Sequence, residues 1–231
     1  MTISIIIPTL NEAENMRLLI PFLQQNADHR LLEIIVVDAG SDDDTEGVAR
    51  AFGAVALQSP QRGRAVQMNH AAQQAKGEVL YFIHADCKPP PTYLDDIQHA
   101  LTEGYVMGCY RYRFDKQRFI LKINAYFNRF EPLYCRGGDE TLFVLKDTFE
   151  YLEGFDESYC IMEEYDFIRR ARAVFPFKII PKYAIVSARK YDSNSWLRVQ
   201  IANMTAFKMF RKGVPSEEIA RTYRQMLNYQ R

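Results

Sequence analysis

The chain has 231 residues, of which 48% are hydrophobic and 25% charged, and its formal net charge is zero. That length supports one good-sized domain with a substantial core, while the even charge balance removes the usual electrostatic footprint of a nucleic-acid binder. No run approaches the roughly 20 apolar residues that cross a bilayer, and the opening Met1-Thr2-Ile3-Ser4 lacks the basic start of a secretory signal.

In chain order, residues 4–7 read as a short apolar strand, and residues 12–25 as a helix with Leu18, Leu19, Phe22 and Leu23 on one face. Pro21 inside that pattern predicts a kink or a division. Residues 32–37 are the next strand, 42–52 the next helix, and 55–57 a short strand. A helix over 65–76, stopped by Gly77, leads to the apolar strand 79–83. A further helix over 91–101 has proline in its first turn and glycine just beyond its end, the expected punctuation. Repeated strand–helix units predict an α/β fold with a mostly parallel sheet and helices on both faces.

The pattern changes after Gly104. Residues 106–114 are aromatic and alternating, which predicts an antiparallel strand. A helix over 119–130, a loop over 131–139, a strand over 141–145, a helix over 161–174 and a last strand over 177–186, interrupted by Pro181, follow. Two helices, 196–212 and 216–228, are split by Gly213-Val214-Pro215. The expected organisation is one α/β domain over 1–190 and a helical C-terminal extension over 191–231. Cys87, Cys109, Cys135 and Cys160 are widely spaced with no C-x-x-C pair, as in reduced thiols of a cytoplasmic protein.

Three strands of the first half end in polar clusters: Pro8-Thr9-Leu10-Asn11-Glu12, Asp38-Ala39-Gly40-Ser41 and His84-Ala85-Asp86. If these strands are parallel, the clusters share the sheet edge where open α/β sheets bind ligands. Asp38 is suited to accept a hydrogen bond from a base or a ribose hydroxyl. Asp42, Asp43 and Asp44 are equally suited to start a helix, where acids favour the positive end of its dipole. Asp86 reads either as a metal or polar-ligand residue or as an acidic cap of the next helix. There is no G-x-G-x-x-G after the first strand and no G-x-x-x-x-G-K-[ST]. A diphosphate at such an edge would be neutralised by a divalent metal on Asp86 and by cations such as Arg62 and Arg64. Glu163, Glu164 and Asp166 are close enough in sequence to raise one another's pKa, or simply to form an acidic first helical turn.

Residues 3–12 and 36–45 resemble the opening of the family 2 glycosyltransferases. The stretch Gly63-Arg64-Ala65-Val66-Gln67-Met68-Asn69, followed by Phe82-Ile83-His84-Ala85-Asp86, is similar to one bacterial branch of that family. So are Gly138-Asp139-Glu140-Thr141, Gly154-Phe155 and Met162-Glu163-Glu164-Tyr165-Asp166, in family order. The resemblance implies a GT-A fold and transfer of a sugar from a nucleotide donor with inversion. It further implies that Pro8, Thr9, Glu12 and Asp38 hold the nucleoside. Asp86 would be the metal-contacting end of the D-x-D motif, with Mn2+ or Mg2+ as cofactor. Glu163-Glu164 takes the place of the Glu-Asp pair whose second member is usually the general base, and Asp139 falls on the acceptor side.

Four departures bear on that reading. Ala39 replaces a second acid after Asp38, His84 stands where the first Asp of D-x-D would be, and Glu164 is one methylene longer than the usual Asp. The fourth is Ser187-Ala188-Arg189-Lys190 in place of a metal-binding His after the last strand, so that Arg189 and Lys190 join Arg64 as candidate diphosphate contacts.

The basic tail, with Trp196, Leu197, Val199, Ile201, Met204, Phe207, Met209 and Phe210, predicts packing on the domain, on a second copy, or on a membrane surface. The last would suit a lipid-linked rather than a small-molecule acceptor. Two other readings use the same sheet edge: a sugar-phosphate nucleotidyltransferase and a non-catalytic nucleotide-sugar-binding or membrane-docking module. The first usually opens with a glycine-rich loop that this chain lacks. The second has no use for the Glu163-Glu164 pair.

Overall fold

A computed structural model describes residues 1–116, 118–130, 132–133 and 141–228. Strands β1 (Ile3–Thr9), β2 (Leu31–Asp38), β3 (Val55–Gln58), β4 (Val79–Phe82), β5 (Cys87–Lys88), β6 (Met107–Phe114), β7 (Leu142–Leu145) and β8 (Lys178–Val186) form one sheet. Their order is β3-β2-β1-β4-β7-β6-β8-β5. β1 lies parallel to β2 and β4, and β2 parallel to β3, so the first four strands end on one edge as expected. β7 runs antiparallel to β4 and to β6, while β6 and β8 are parallel to each other. The aromatic strand is thus antiparallel to one neighbour only, and its carboxyl end joins the same edge as those of β1 and β2.

Every residue of β1 is buried, because helices cover both faces of the sheet. Side chains of Ile3, Ile5, Ile7, Ile34, Val36, Val79 and Tyr81 enter one core layer. The alternate residues Ile6, Ile35, Val37, Leu80 and Phe82 enter the other, as the period of two in a strand requires. On the first face lie α1 (Ala13–Gln25), α2 (Thr45–Ala51) and α4 (Tyr93–Thr102), and on the second α3 (Arg64–Gln74), α6 (Lys146–Tyr151) and α7 (Glu163–Arg172). Phe82, Phe149, Phe155 and Phe167 meet edge-on or tilted in the second layer, with ring centroids 5.0–5.3 Å apart.

Several sequence expectations need correction. Pro21 does not divide α1, which runs unbroken on its buried residues Met16, Leu19, Ile20 and Leu23, and Leu18 faces solvent. Pro181 does not interrupt β8 either. It lies where Tyr110 pairs with Ile180 but Arg111 with Tyr183, a bulge that tolerates a residue without an N–H. Three elements have no counterpart in the sequence pattern: the helix α6, the short helix over Lys190–Ser193, and the two-residue strand β5, which pairs Cys87 with Val186. The helix expected over 119–130 is α5 (Phe119–Tyr126) plus a 3-10 turn over Phe127–Arg129.

After α8 (Lys190–Ser193), the tail forms α9 (Trp196–Arg211) and α10 (Ser216–Met226). Val199, Ala202, Ala206, Phe210, Ile219 and Tyr223 enter the first core layer, which leaves Leu197, Ile201 and Met204 exposed on α9. The tail also braces the approach to α7: Ser216 Oγ accepts from Cys160 N at 3.0 Å and donates to Ser158 O at 2.6 Å. Among the described residues, no helix is long and apolar enough to cross a membrane.

Candidate active site

The loops after β1 and β2 are tied together by their own hydrogen bonds. Asp38 is buried, and its Oδ2 accepts from Gly40 N at 3.0 Å and Ser41 N at 2.7 Å. Its Oδ1 accepts from Thr9 Oγ1 at 3.2 Å and from Ser41 Oγ. Gly40 has φ +84°, which a glycine adopts at no steric cost, and its N–H turns back onto the carboxylate. Asn11, itself at φ 56°, donates from its backbone to Ser41 Oγ at 2.8 Å and accepts from Asp42 N at 2.7 Å. Beneath this bracing, Gln67 of α3 donates to Thr9 O at 2.9 Å and Val37 O at 2.8 Å. Nothing in the sequence pattern marks Gln67 as the brace between β1 and β2. Asp38 therefore shapes the turn with both oxygens, and Pro8, Thr9 and Asp38 form one buried wall.

Beside that wall, Arg189 spans two acids. Its guanidinium lies 2.7 Å from Glu12 Oε1 through NH2 and 3.2 Å from Asp86 Oδ2 through Nε. Strand β5 makes this possible: pairing Cys87 with Val186 carries Asp86 to the end of β8, next to the segment that holds Arg189. Glu12 is fixed further by Asn15 Nδ2 and by its backbone N–H, which donates to Thr45 Oγ1 at 3.0 Å. Glu12, Asp86 and Arg189 are all candidates on sequence grounds, and the structure brings the three together.

A second cluster sits where α7 begins. Met162 precedes it with φ 73°, a left-handed conformation costly for a residue with a Cβ. Glu164 Oε1 lies 2.9 Å from His84 Nε2, although 80 residues separate the two in sequence. Glu164 Oε2 is buried and without a hydrogen-bond partner among the described residues. This pairing carries no sequence signal: His84 stands where an acid is usual, and no spacing rule links it to Glu164. Asp166 is withdrawn from the cluster, because Arg169 and Arg170 each hold one of its oxygens at 2.7 Å. Asp139 lies outside the described residues.

Glu163 is deeper still, 1% exposed, with Arg64 Nε 2.7 Å from its Oε1. The approach is an ion pair without a directed hydrogen bond, and Oε2 has no partner among the described residues. Burial raises the Glu163 carboxyl above its ordinary range, more than the Arg64 charge lowers it, and neighbouring Glu164 adds to the rise. Arg64, expected on the donor, is thus occupied with Glu163. As pH climbs past the ordinary carboxylate range the unfolded chain ionises Glu163 first, so folding stability falls until the raised native value is passed. Glu163→Gln removes that slope, at most about 1.4 kcal/mol per pH unit for one proton. Urea titrations at mildly acidic and mildly alkaline pH should show the variant gaining on the native chain as pH rises; a gap independent of pH overturns this assignment.

Among the described residues, no three His, Cys, Asp or Glu side chains are grouped to hold a metal ion. Asp86 alone fits the habit of Mg2+, which keeps its waters and takes one or two carboxylates plus substrate phosphates. The donor set therefore suits a metal that shares its coordination with a diphosphate.

A family model described as glycosyl transferase family 2 matches residues 4–155. The glycosyltransferase AglE of Haloferax volcanii is 33% identical over 100 residues, which cover 40% of this chain and 33% of that protein. Glucosyl-3-phosphoglycerate synthase of Mycobacterium tuberculosis is 33% identical over 114 residues, 45% of this chain and 35% of that protein. The aligned stretches thus span about a third of these curated relatives. The crystal structure of the same synthase with Mg2+ and UDP superposes with a TM-score of 0.65 at 20% identity, over 93% of this chain and 80% of that one. Residues 1–349 of TarS from S. aureus, with UDP-GlcNAc, give 0.67 at 15% identity over 98% and 71%. These likenesses establish the fold as the mixed, mostly parallel α/β sheet of GT-A glycosyltransferases.

Proposed function

The chain belongs to glycosyl transferase family 2, and on that premise we propose that it moves a sugar from a nucleotide-diphosphate donor, a UDP-sugar, to an acceptor hydroxyl with inversion. The observation that carries the reading is Glu164 at the ligand edge of the sheet. One carboxylate oxygen is held by His84 and the other is unclaimed among the described residues. A general base needs that combination of fixed orientation and a vacant lone pair.

In this reading the wall formed by Pro8, Thr9 and Asp38 receives the nucleoside, with Asp38 acting mainly through the loop shape it enforces. Arg189 exchanges Glu12 and Asp86 for the diphosphate, and its guanidinium fork matches phosphate oxygens. Asp86, once released, would hold Mn2+ or Mg2+, which when bound offsets the charge of the departing diphosphate. Glu164 takes the acceptor proton during in-line attack, and His84 keeps its carboxylate aimed. Glu163 supports this pair from behind through Arg64, and Asp139 is assigned to the acceptor. UDP-GlcNAc in the structure of TarS and UDP in that of the mycobacterial synthase support the donor class. A nucleotidyltransferase or a purely binding module would leave Glu164 without a task.

The test is release of nucleoside diphosphate from a panel of UDP- and GDP-sugars, with and without Mn2+, in the absence of any acceptor. Slow, Mn2+-dependent release from a UDP-sugar, with water as substitute acceptor, is the expected result. Tight binding of these donors with no release overturns the reading in favour of a binding module.

A further inference from the structure

We propose that α5 and the groove beside it dock this protein on an anionic lipid bilayer. The buried residues of α5 are Leu121 and Ala125, four residues apart on one face. Phe119, Ile120, Ile123, Tyr126 and Phe127, with Phe130 beyond, face solvent, Phe119 at 78% and Phe127 at 52%. A helix this apolar on its outer side has no counterpart in a surface meant for water alone.

Alongside runs a groove of about 270 Å³ lined by Arg113, Lys116, Lys122 and Arg129 over a floor of Phe114, Leu121 and Ala125. Arg113 and Lys122 have no ion pair among the described residues. Lys116 reaches Asp192, and Arg129 stacks on Tyr126 at 3.8 Å. Inserted aromatic and aliphatic side chains flanked by Lys and Arg are what an interface of acyl chains and anionic headgroups accommodates. The groove cations decide between this occupant and a second copy. In a twofold contact, the same cations from both copies would crowd one rim, where Asp192 of each copy is already engaged by Lys116. A lipid phosphate supplies the missing charge.

The exposed stripe on α9, Leu197, Ile201 and Met204, is narrower and is not part of this groove. α5 is also joined to the site. Arg118 donates to Tyr191 O, and Asn124 to the Tyr191 hydroxyl, both at 3.3 Å, and Tyr191 follows Arg189 by two residues. A docked chain would thus hold its ligand edge near the bilayer, which favours a lipid-held acceptor. That last step rests on the transferase reading; the docking does not.

The experiment is co-sedimentation of the full chain with phosphatidylcholine–phosphatidylglycerol vesicles, without donor. The native chain should pellet with these vesicles and stay in solution with pure phosphatidylcholine. Phe119→Asp/Ile123→Asp should weaken binding about tenfold or more, while Leu197→Asp/Met204→Asp should keep it. Lys122→Glu/Arg129→Glu leaves the apolar side chains in place and should also weaken it, which keeps the test decisive if the first pair fails to fold. The proposal is overturned by a native chain that ignores anionic vesicles, by loss on the α9 pair instead, or by a lipid-free dimer that the α5 pair dissolves. Failure of nucleotide release with intact sedimentation would count against the transferase reading alone.

Discussion

Glu164→Gln should lower sugar transfer by about 10²–10⁴-fold, the usual contribution of a positioned base, while the dissociation constant for UDP stays within about twofold. Glutamine preserves the length of the side chain and its ability to bond His84 Nε2, now 2.9 Å from the carboxylate. What disappears is the capacity to accept a proton. A loss of kcat with unchanged nucleotide binding therefore separates the base from a structural partner of His84. Turnover near that of the native chain would move the role elsewhere, and two neighbours are poor heirs. Asp166 is held by Arg169 and Arg170, and Glu163 is 1% exposed behind Arg64. The search would then turn to Asp139.

The second large effect has opposite signs under two conditions. Asp86→Ala should weaken UDP binding in the presence of Mn2+ on the order of a hundredfold, the scale of losing one charged partner in a partly buried site. Without Mn2+ the same variant should bind UDP somewhat better. Arg189 is divided between Glu12 and Asp86 at 2.7 and 3.2 Å, and deleting one acid loosens its hold. The freed guanidinium then meets the diphosphate at lower cost. Calorimetric titration of UDP into both proteins, with Mn2+ and with a chelator, reads the two signs. Equal affinities in all four experiments remove Asp86 from the metal role.

Much of this arrangement follows from local pattern. The apolar runs before Thr9, Asp38 and His84 mark three parallel strands, and parallelism alone brings their polar ends to one edge. Strand-end position therefore singles out Glu12, Asp38 and Asp86 by residue order alone. What local pattern does not encode is the pairing between distant segments. β5 is two residues long, too short for any periodicity, yet it sets Asp86 beside Arg189. His84 and Glu164 meet across 80 residues because β4 ends beneath the start of α7. Gln67 looks like any polar helical residue until it is found bridging Thr9 and Val37. Pro21 and Pro181 mislead for the converse reason: packing of Met16, Leu19, Ile20 and Leu23 carries α1 across Pro21, and a bulge accommodates Pro181.

The Arg189 bridge also bears on how the resting protein responds to salt. A lone cation lining an open cleft attracts phosphate strongly in dilute buffer and weakly in concentrated buffer. Here the cation already has carboxylate company, so under the proposed function an arriving diphosphate would trade one set of ionic contacts for another. Dissolved ions screen the old partners and the new in similar measure, and much of their influence cancels. Under the proposed function, donor recognition at this edge would therefore depend less on ionic strength, with discrimination left to shape and hydrogen-bond geometry.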